Sequence, residues 1–466
     1  MLEEYIKSYC KHVDEEQLFS VLESYRSSMQ VNITRIDFDK MEKWNFSPNE
    51  AISHESGKFF SIIGAEAHDK EEGITRHQPI INQPEQGILG IASRTNEGQI
   101  ELLLQAKIEP GNLDSVQYSP TVQATKSNYT GAHKGKSVAY IDTFLENSSK
   151  IKSRGYQSEH GYKFYKKAND NVHAHDDDIT KIDNKFAWLS FGDVRYMLSK
   201  EHCINMDTRS VLATIDFFDT SVSSEEIHKH SSLMESELTP LEAQLLFSSL
   251  SADGAQNSVE SISNWLSLAK DNKQIQHKTT PLAKLYEHGW KVSDGTLYHE
   301  KNKNFELVGI RASIGSREVS SWCQPIVRDN VPKVYGFILK EINNIIHVLV
   351  QLVEEDFSWN GAELGPTFHS IDSSTFSLDE ELAKFDVISE QSCTFYDCFQ
   401  SEEGGRFMEQ KNRYMLINLD KNSTVEVSNR YKWVTLYQLK KMTSYECSVN
   451  IEARTLLALA SYYKEN

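Results

Sequence analysis

The chain repeats itself at an offset of about 245 residues, and this duplication limits how it can fold. A shift of 246 residues aligns residues 78–121 with 324–367 without a gap, and ten of these 44 positions are identical. Flanking segments match at offsets of 243 to 246. Because that period is far too long for a solenoid repeat, it indicates two copies of one domain. We call residues 44–212 the first repeat and residues 290–457 the second repeat.

Each repeat has the pattern of several strands followed by a helix, so we predict an α+β fold. Matched QSE segments, with a glycine between short polar and aromatic runs, predict a hairpin turn in each repeat. Asn205 and Asn450 each precede an acid and an apolar run, which predicts a helix start. Apolar residues at helical spacing between the repeats predict a helical linker. The expected domains are therefore residues 1–219, a linker at 220–280, and residues 281–466.

The composition excludes some classes of protein. A net charge of −18 disfavours nucleic acid, which needs a basic surface, although a small phosphorylated molecule needs only a local group of cations. No apolar run reaches the length of a membrane span, and the acidic start MLEEYIKSYC is not typical of a signal peptide. Six scattered cysteines without a C-x-x-C pair indicate reduced thiols. We therefore expect a cytoplasmic protein without membrane or nucleic-acid partners.

A row of polar side chains distinguishes the first repeat from the second. Along a strand, Gln105, Lys107 and Glu109 share one face, opposite three apolar residues. The matching row of the second repeat has valine in place of the lysine, and its following loop is acidic. In the first repeat that loop, residues 121–136, is rich in hydroxyls, amides and lysines. The row and loop can be a solvated edge, or a site for a pyrophosphate and a sugar.

Three segments resemble the signature motifs of the NDP-4-keto-6-deoxyhexose 2,3-dehydratases. They are QAKIEPGNLDSVQYSPTVQATKSNYT (residues 105–130), QPIINQPEQGILG (78–90) and NMDTRSVLA (205–213). Two departures stand out: His77 occupies a position where the family usually has tryptophan, and EEDFSWNG (354–361) replaces an EPG-type turn in the second repeat. The resemblance covers nearly the whole chain and implies two Nudix-like mixed-sheet domains in a homodimer. It also implies a dTDP-4-keto-6-deoxy sugar substrate, a downstream 3-ketoreductase and no cofactor.

The resemblance further implies elimination of water from the sugar. We predict that Glu109 removes the C3 proton, Lys107 stabilises the enolate, and Tyr129 or His133 is the acid. Because the second repeat has Glu355 at the position of Glu109, a structural role for Glu109 is as compatible with the sequence as a catalytic role. We expect the second repeat to be catalytically silent. The residues predicted to bind substrate are Gln78, Asn82, Gln105, Ser119, Thr121, Gln123, Thr125, Lys126, Ser127, Asn128, Arg154, Tyr156, Lys163 and Trp188.

Other interpretations remain open at the level of sequence. HAHDDD (residues 173–178) could suggest a metal site, but a solvated charged loop is the more frequent origin of such spacing. The Nudix metal signature G-x5-E-x7-R-E-x-x-E-E is missing from the chain, so we expect no metal-dependent pyrophosphate hydrolysis. A nucleotide-sugar binding protein without catalysis and a sugar-nucleotide epimerase are the alternative functions.

Overall fold

The structure is a computed structural model that describes residues 1–129, 138–302, 304–315, 321–387 and 392–465. Short 3₁₀ turns lie at Phe38–Lys40 and Ile141–Phe144. The α-helices are α1 (Leu2–Tyr9), α2 (Glu15–Ser27), α3 (Lys126–Tyr129), α4 (Phe191–Leu198), α5 (Met206–Leu212), α6 (Ser224–His228), α7 (Ser231–Glu237), α8 (Pro240–Leu250), α9 (Val259–Asp271), α10 (Leu282–Tyr286), α11 (Leu378–Ala383), α12 (Leu436–Met442) and α13 (Ile451–Ser461).

Within these described ranges the strands form four sheets. Before and within the first repeat they are β1 (Val31–Ile36), β2 (Trp44–Phe46), β3 (Ile52–His54), β4 (Ser61–Asp69), β5 (Ile74–Asn82), β6 (Gly87–Asn96), β7 (Gln99–Ile108), β8 (Val116–Ser119), β9 (Val122–Thr125), β10 (Ile151–Ser158), β11 (Ala168–His175) and β12 (Phe186–Ser190). The later strands are β13 (Ile275–Thr280), β14 (Trp290–Ser293), β15 (Thr296–His299), β16 (Phe305–Ile314), β17 (Ser321–Asp329), β18 (Val334–Ile342), β19 (Ile345–Val353), β20 (Glu363–Gly365), β21 (Phe368–Ser370), β22 (Ser392–Ser401), β23 (Lys411–Leu419) and β24 (Tyr431–Thr435).

Each repeat contains one large mixed sheet. In the first repeat the strand order is β10-β11-β6-β7-β12, with β8 also paired to β7 and β9 to β6. In the second repeat the corresponding order is β22-β23-β18-β19-β20, with β21 on β18 and β24 on β19. One pair in each sheet is parallel, β11 with β6 and β23 with β18. The equal topology confirms the predicted α+β duplication.

The two smaller sheets exchange one strand with each other. β1 pairs antiparallel with β16 of the second repeat, so that Val31 lies opposite Ile314. β13 pairs in the same way with β4 of the first repeat, so that Ile275 lies opposite Asp69. Because each strand precedes its own repeat by an equivalent distance, the exchange is reciprocal. Residues 220–280, the predicted helical linker, contain helices α6 to α9 and also strand β13, which joins the small sheet of the first repeat.

A shared hydrophobic core joins the repeats. The inner faces of both large sheets and α1, α4, α5, α8, α12 and α13 contribute to one cluster of buried side chains. Helices α5 and α13 occupy equivalent positions in the repeats and pack against each other. Their starts are capped as predicted, because Asn205 Oδ1 accepts the N–H of Thr208 and Asn450 Oδ1 that of Ala453, both at 2.9 Å.

Within the described residues, no helix combines the length and the apolar character that crossing a membrane requires.

Candidate active site

A group of charged side chains lies where strand β7 ends. Alternation along β7 buries Leu104, Ala106 and Ile108 in the core, as predicted, and leaves Gln105 and Lys107 half-buried on the other face. Just beyond the strand, Lys107 Nζ lies 2.9 Å from Glu109 Oε1, and the Glu109 side chain is only 6% exposed. The predicted ammonium and carboxylate are therefore in direct contact.

The second repeat contributes a turn to this group. Gly111 donates its N–H to the carbonyl oxygen of Gly404 at 2.7 Å, and Glu409 donates its N–H to that of Gly111 at 2.8 Å. A Cβ built on Gly111 would lie 1.8 Å from the carbonyl oxygen of Phe407, so only glycine allows this approach. The turn at residues 403–407 thereby places the Glu403 carboxylate beside Glu109. A Cβ built on Gly405 would be 2.9 Å from Glu403 Oε1 and 3.4 Å from Glu109 Oε1.

We define the first cluster as Lys107, Glu109, Glu159, Asp207 and Glu403. Burial raises the pKa of Glu403 to about 7, and the charges of Glu109 and Glu159 contribute to this rise. Burial also raises the pKa of Asp207 well above its usual range, with the charges of Glu403, Glu159 and Glu109 in the same direction. The cluster therefore holds four carboxylates beside the one ammonium of Lys107, and the charges of Arg406 and Lys167 act on it from nearby.

The corresponding group at the second repeat, to which the first repeat contributes His160, has a different charge balance. We define the second cluster as His160, Glu355, Glu402 and Glu452, in which His160 Nδ1 lies 2.9 Å from Glu452 and Nε2 lies 3.0 Å from Glu402. Burial alone would lower the pKa of His160, but the hydrogen bonds to both carboxylates outweigh it and raise the pKa well above 6.5. Despite burial, the bond from His160 lowers the pKa of Glu402 to about 2. The imidazolium thus pairs with two of the three carboxylates, and burial raises the pKa of the third, Glu355, well above its usual range.

Strand register brings several of the predicted substrate-binding residues to one face of the first large sheet. Ser119 lies opposite Gln105, and Trp188 lies opposite Leu103. Arg154 lies opposite Val172, which is fully buried, and Tyr156 lies opposite Asp170. This face is the one that carries Lys107. Arg154 donates to the Phe144 carbonyl oxygen at 2.7 Å, Tyr156 accepts from Gln86 at 2.6 Å, and the Arg94 guanidinium lies 4.2 Å from the Trp188 ring centroid.

Other predicted residues support the fold. Thr121 Oγ1 accepts from the Ala92 N–H and donates to the Leu103 carbonyl oxygen. The matching Thr367 makes the same two bonds in the second repeat. Gln78 donates to the Tyr162 carbonyl oxygen, as its counterpart Gln324 does to Gly405. Features kept in both repeats therefore hold equivalent turns in place.

The remaining predicted residues are spread over several places. Gln123 donates to Glu109 at 3.3 Å, and Gln105 donates to the Pro120 carbonyl oxygen at 2.8 Å. Lys163 is directed away from the first cluster and pairs with Asp329 of the second repeat, and burial lowers the pKa of Lys163 to about 8. Asn82 and Thr125 are half-buried, and Lys126 is exposed. Ser127 and Asn128 lie on α3, and Tyr129 packs against an outer apolar cluster. His133 lies outside the described residues.

The HAHDDD segment is part of the fold. His173 lies on β11, fully buried, and shares the Ser93 hydroxyl with His175 at 2.9 Å. Asp176 and Asp178 both pair with Lys150, at 2.8 and 2.5 Å. The solvated-loop interpretation therefore holds only for the end of the segment. In the part of the chain that the structure describes, no three His, Cys, Asp or Glu side chains are placed to hold a metal ion.

Three carboxylates of the first cluster were not predicted from sequence: Glu159, Asp207 and Glu403. Their segments belong to the duplicated pattern, which predicts a hairpin turn and a helix start and no chemical role. One signal was present, because His160 of QSEHGYKF aligns with Glu403 of QSEEGGRF at an offset of 243. A charge difference between matched positions is the type of feature that distinguished Lys107.

Known proteins resemble this chain over most of its length. The family model described as NDP-hexose 2,3-dehydratase matches residues 15–215 and again residues 259–460. Three curated relatives are each named dTDP-4-dehydro-6-deoxy-alpha-D-glucopyranose 2,3-dehydratase. The protein from Saccharopolyspora spinosa is 34% identical, over 91% of this chain and 86% of its own. Those from Streptomyces violaceoruber and Amycolatopsis orientalis are 33% and 32% identical, over 91% and 93% of this chain and 92% and 87% of their own.

Among solved structures, a C. elegans Ap4A hydrolase matches with 16% identity and a TM-score of 0.19, over 25% of this chain and 87% of its own. The NUDIX domain of Shewanella oneidensis NrtR complexed with ADP ribose matches with 12% identity and a TM-score of 0.20, over 27% of this chain and 83% of its own. The family assignment comes from the sequence matches, which include both repeats. On that basis, this chain belongs to the NDP-hexose 2,3-dehydratase family.

Proposed function

We propose that this protein removes the C2 hydroxyl of a dTDP-4-keto-6-deoxyglucose as water, and that the reaction takes place at the first cluster. The observation that carries the assignment to this cluster is the contact between Lys107 and Glu109 at 2.9 Å. The matching residues of the second repeat are Val353 and Glu355, so the ammonium is specific to the first repeat. Family membership and the names of the relatives support the reaction and the substrate.

The chemistry begins at C3 of the sugar. The adjacent C4 ketone acidifies the C3 hydrogen, and Glu109 accepts this proton. Negative charge then develops on the C4 oxygen, where the Lys107 ammonium stabilises it. In the next step the C4 carbonyl re-forms, a double bond forms between C2 and C3, and the C2–O bond breaks. The resulting enol tautomerises to a 3,4-diketo sugar.

Tyr129 and His133 are our candidates from sequence for the acid that assists departure of the hydroxyl. Burial raises the pKa of Tyr129, with the Asp170 charge in the same direction, so its phenol keeps its proton at neutral pH. We also propose that Arg154 and Lys126 bind the diphosphate and that Tyr156 or Trp188 stacks on the base. Arg154 and Tyr156 share a sheet face with Lys107, which supports this arrangement.

We further propose that the protein is a homodimer and delivers its unstable product to a 3-ketoreductase. Size measurement in solution tests the first proposal. Trapping of the diketo sugar by an added reductase tests the second.

One experiment tests the function itself. The protein is incubated with dTDP-4-keto-6-deoxyglucose in deuterated water, and the nucleotide sugar is followed by mass spectrometry. A dehydratase converts it to a species that has lost one water. A species that gains deuterium but keeps its C2 oxygen would indicate an epimerase, and an unchanged sugar would indicate a binding protein without catalysis.

A further inference from the structure

Glu403 reaches the first cluster from the second repeat, where the charges of Arg406 and Lys107 act on its carboxylate. Among the described residues, its side chain makes no hydrogen bond or ion pair, although the turn that carries it is fixed by backbone bonds to Gly111. Glu403 as a whole is half-buried. Such a carboxylate is positioned by its backbone and is available to a ligand.

A second feature of the cluster also indicates a ligand. Glu159 is 6% exposed, and its Oε1 accepts from Asn169 Nδ2 at 2.6 Å. Its other oxygen, Oε2, is buried and has no hydrogen-bond partner in the part of the chain that the structure describes. A buried acceptor without a donor is costly in a folded protein. Donors such as sugar hydroxyls would satisfy it.

Comparison of the repeats separates Glu403 from the residues that serve the fold. At the matching position of the second cluster, His160 is in contact with two carboxylates and is used entirely in neutralising them. In the first cluster the corresponding carboxylates, Glu159 and Asp207, meet the carboxylate of Glu403 in place of an imidazolium. The first cluster therefore has an acid where the second cluster has a cation, and this acid can carry a proton.

We propose that Glu403, supplied by the second repeat, is the acid that protonates the departing C2 hydroxyl. This inference rests on the proposed function of the first cluster. The Glu403 O–H proton moves to the C2 oxygen, the C2–O bond breaks with its electron pair on that oxygen, and water leaves. The electron pair of the enolate forms the C2–C3 double bond. Glu403 remains as a carboxylate and is reprotonated by solvent.

The geometry supports a division of labour between two adjacent carboxylates. Glu109 Oε1 and Glu403 Oε1 are close to one point, the position of a Cβ on Gly405. C2 and C3 are bonded to each other, so the base and the acid act on substituents of adjacent carbons and must both reach the same part of the sugar. Glu109 contacts Lys107, whereas burial keeps the pKa of Glu403 near 7 although the Arg406 and Lys107 charges lower it, so Glu403 is partly protonated at neutral pH. The second repeat is then a contributor to catalysis.

The test is the Glu403→Gln variant with dTDP-4-keto-6-deoxyglucose in deuterated water, followed at C3 and by loss of water. We expect water loss to fall on the order of 10²-fold or more, while exchange of the C3 hydrogen persists, because the amide cannot donate an acidic proton. For the wild type we expect kcat/KM to fall above about pH 7, as Glu403 loses its proton. In the Glu403→Gln variant this fall should disappear. Glu409→Gln, an exposed change in the same segment, is the matched control and should behave like the wild type.

Several results would decide against the proposal, and a second variant covers the case in which Glu403→Gln does not fold. Water loss within threefold of the wild-type rate would overturn it, and so would equal loss of C3 exchange and elimination. Tyr129→Phe with the defect expected of Glu403→Gln would assign the acid to Tyr129. Should Glu403→Gln fail to fold, Glu403→Asp, which keeps the acid, should retain part of the elimination and the alkaline fall. A wild-type protein that releases no water would contradict the proposed function itself.

Discussion

At the scale of single residues, Lys107 is the group whose removal should affect catalysis most directly. We expect Lys107→Met to lower kcat for water loss on the order of 10²- to 10³-fold, because no cation then faces the charge on the C4 oxygen. Glu109→Gln should abolish both C3 exchange and water loss, since the base is missing. Turnover of dTDP-4-keto-6-deoxyglucose measures both effects.

Lys152→Met is the control for Lys107→Met, because Lys152 is an exposed lysine on β10 of the same sheet. It removes the same charge and should leave kcat unchanged. Near-native turnover of Lys107→Met would show that the ammonium has no role in the elimination.

His160 should determine how stability depends on pH. The raised pKa of His160 stabilises the folded state fully below 6.5, its ordinary pKa, and the contribution is lost as the pH rises through the folded pKa. The lowered pKa of Glu402 stabilises the folded state fully above pH 4.5, the ordinary pKa of a glutamate. This stabilisation is lost as the pH falls towards about 2. The second cluster should therefore stabilise most between these two ordinary values.

We expect His160→Gln to lower the free energy of unfolding by about 3–5 kcal/mol at pH 6, because two buried carboxylates lose their cation. The difference from the wild type should shrink as the pH is raised from 6.5. Urea unfolding at pH 6 and pH 8.5 measures it, with His12→Gln, an exposed histidine, as control. A difference that grows with pH would mean that His160 is neutral in the folded protein.

At the scale of elements, the turn after β7 positions the second repeat. Gly111→Ala should displace residues 403–407, because its Cβ would overlap the Phe407 carbonyl oxygen. We expect water loss to fall by at least tenfold and the melting temperature to drop by several degrees. Gly315→Ala is the matched control, since a Cβ there meets nothing closer than 3.9 Å. Unchanged activity of Gly111→Ala would show that the turn need not be held so tightly.

Local patterns predicted the elements that depend on local physics. The alternation around Leu104 and the Asn205 cap are determined by neighbours a few residues away, and the structure has both. The exchange of β1 was not predictable in this way. Its residues, VNITRI, are mostly exposed, and its partner lies more than 270 residues away. The place of Glu403 in the first cluster also depends on a contact that is distant in sequence, since the turn that carries it docks onto the other repeat. Local patterns therefore do not predict it.

At the scale of the whole molecule, the repeats are interlocked by equivalent contacts in both directions. Arg454 donates to the Ser158 carbonyl oxygen at 2.6 Å, and Arg209 donates to that of Ser401. Both arginines are almost completely buried. Together with the exchanged strands, these bonds make each repeat part of the other's structure. The predicted domain boundaries therefore mark units of sequence that we do not expect to fold separately.

Separate expression of residues 1–219 and 220–466 tests this expectation. Each fragment alone leaves one small sheet without a strand, so both should be poorly soluble or lack cooperative unfolding. Expressed together, they should purify as one complex and recover water loss, because residues 403–407 then reach Lys107 and Glu109 again. Removal of residues 1–36 from the first fragment should weaken the complex, since β1 no longer pairs with β16. A first fragment that folds cooperatively and eliminates water alone would contradict both the interlocked fold and the contribution of Glu403.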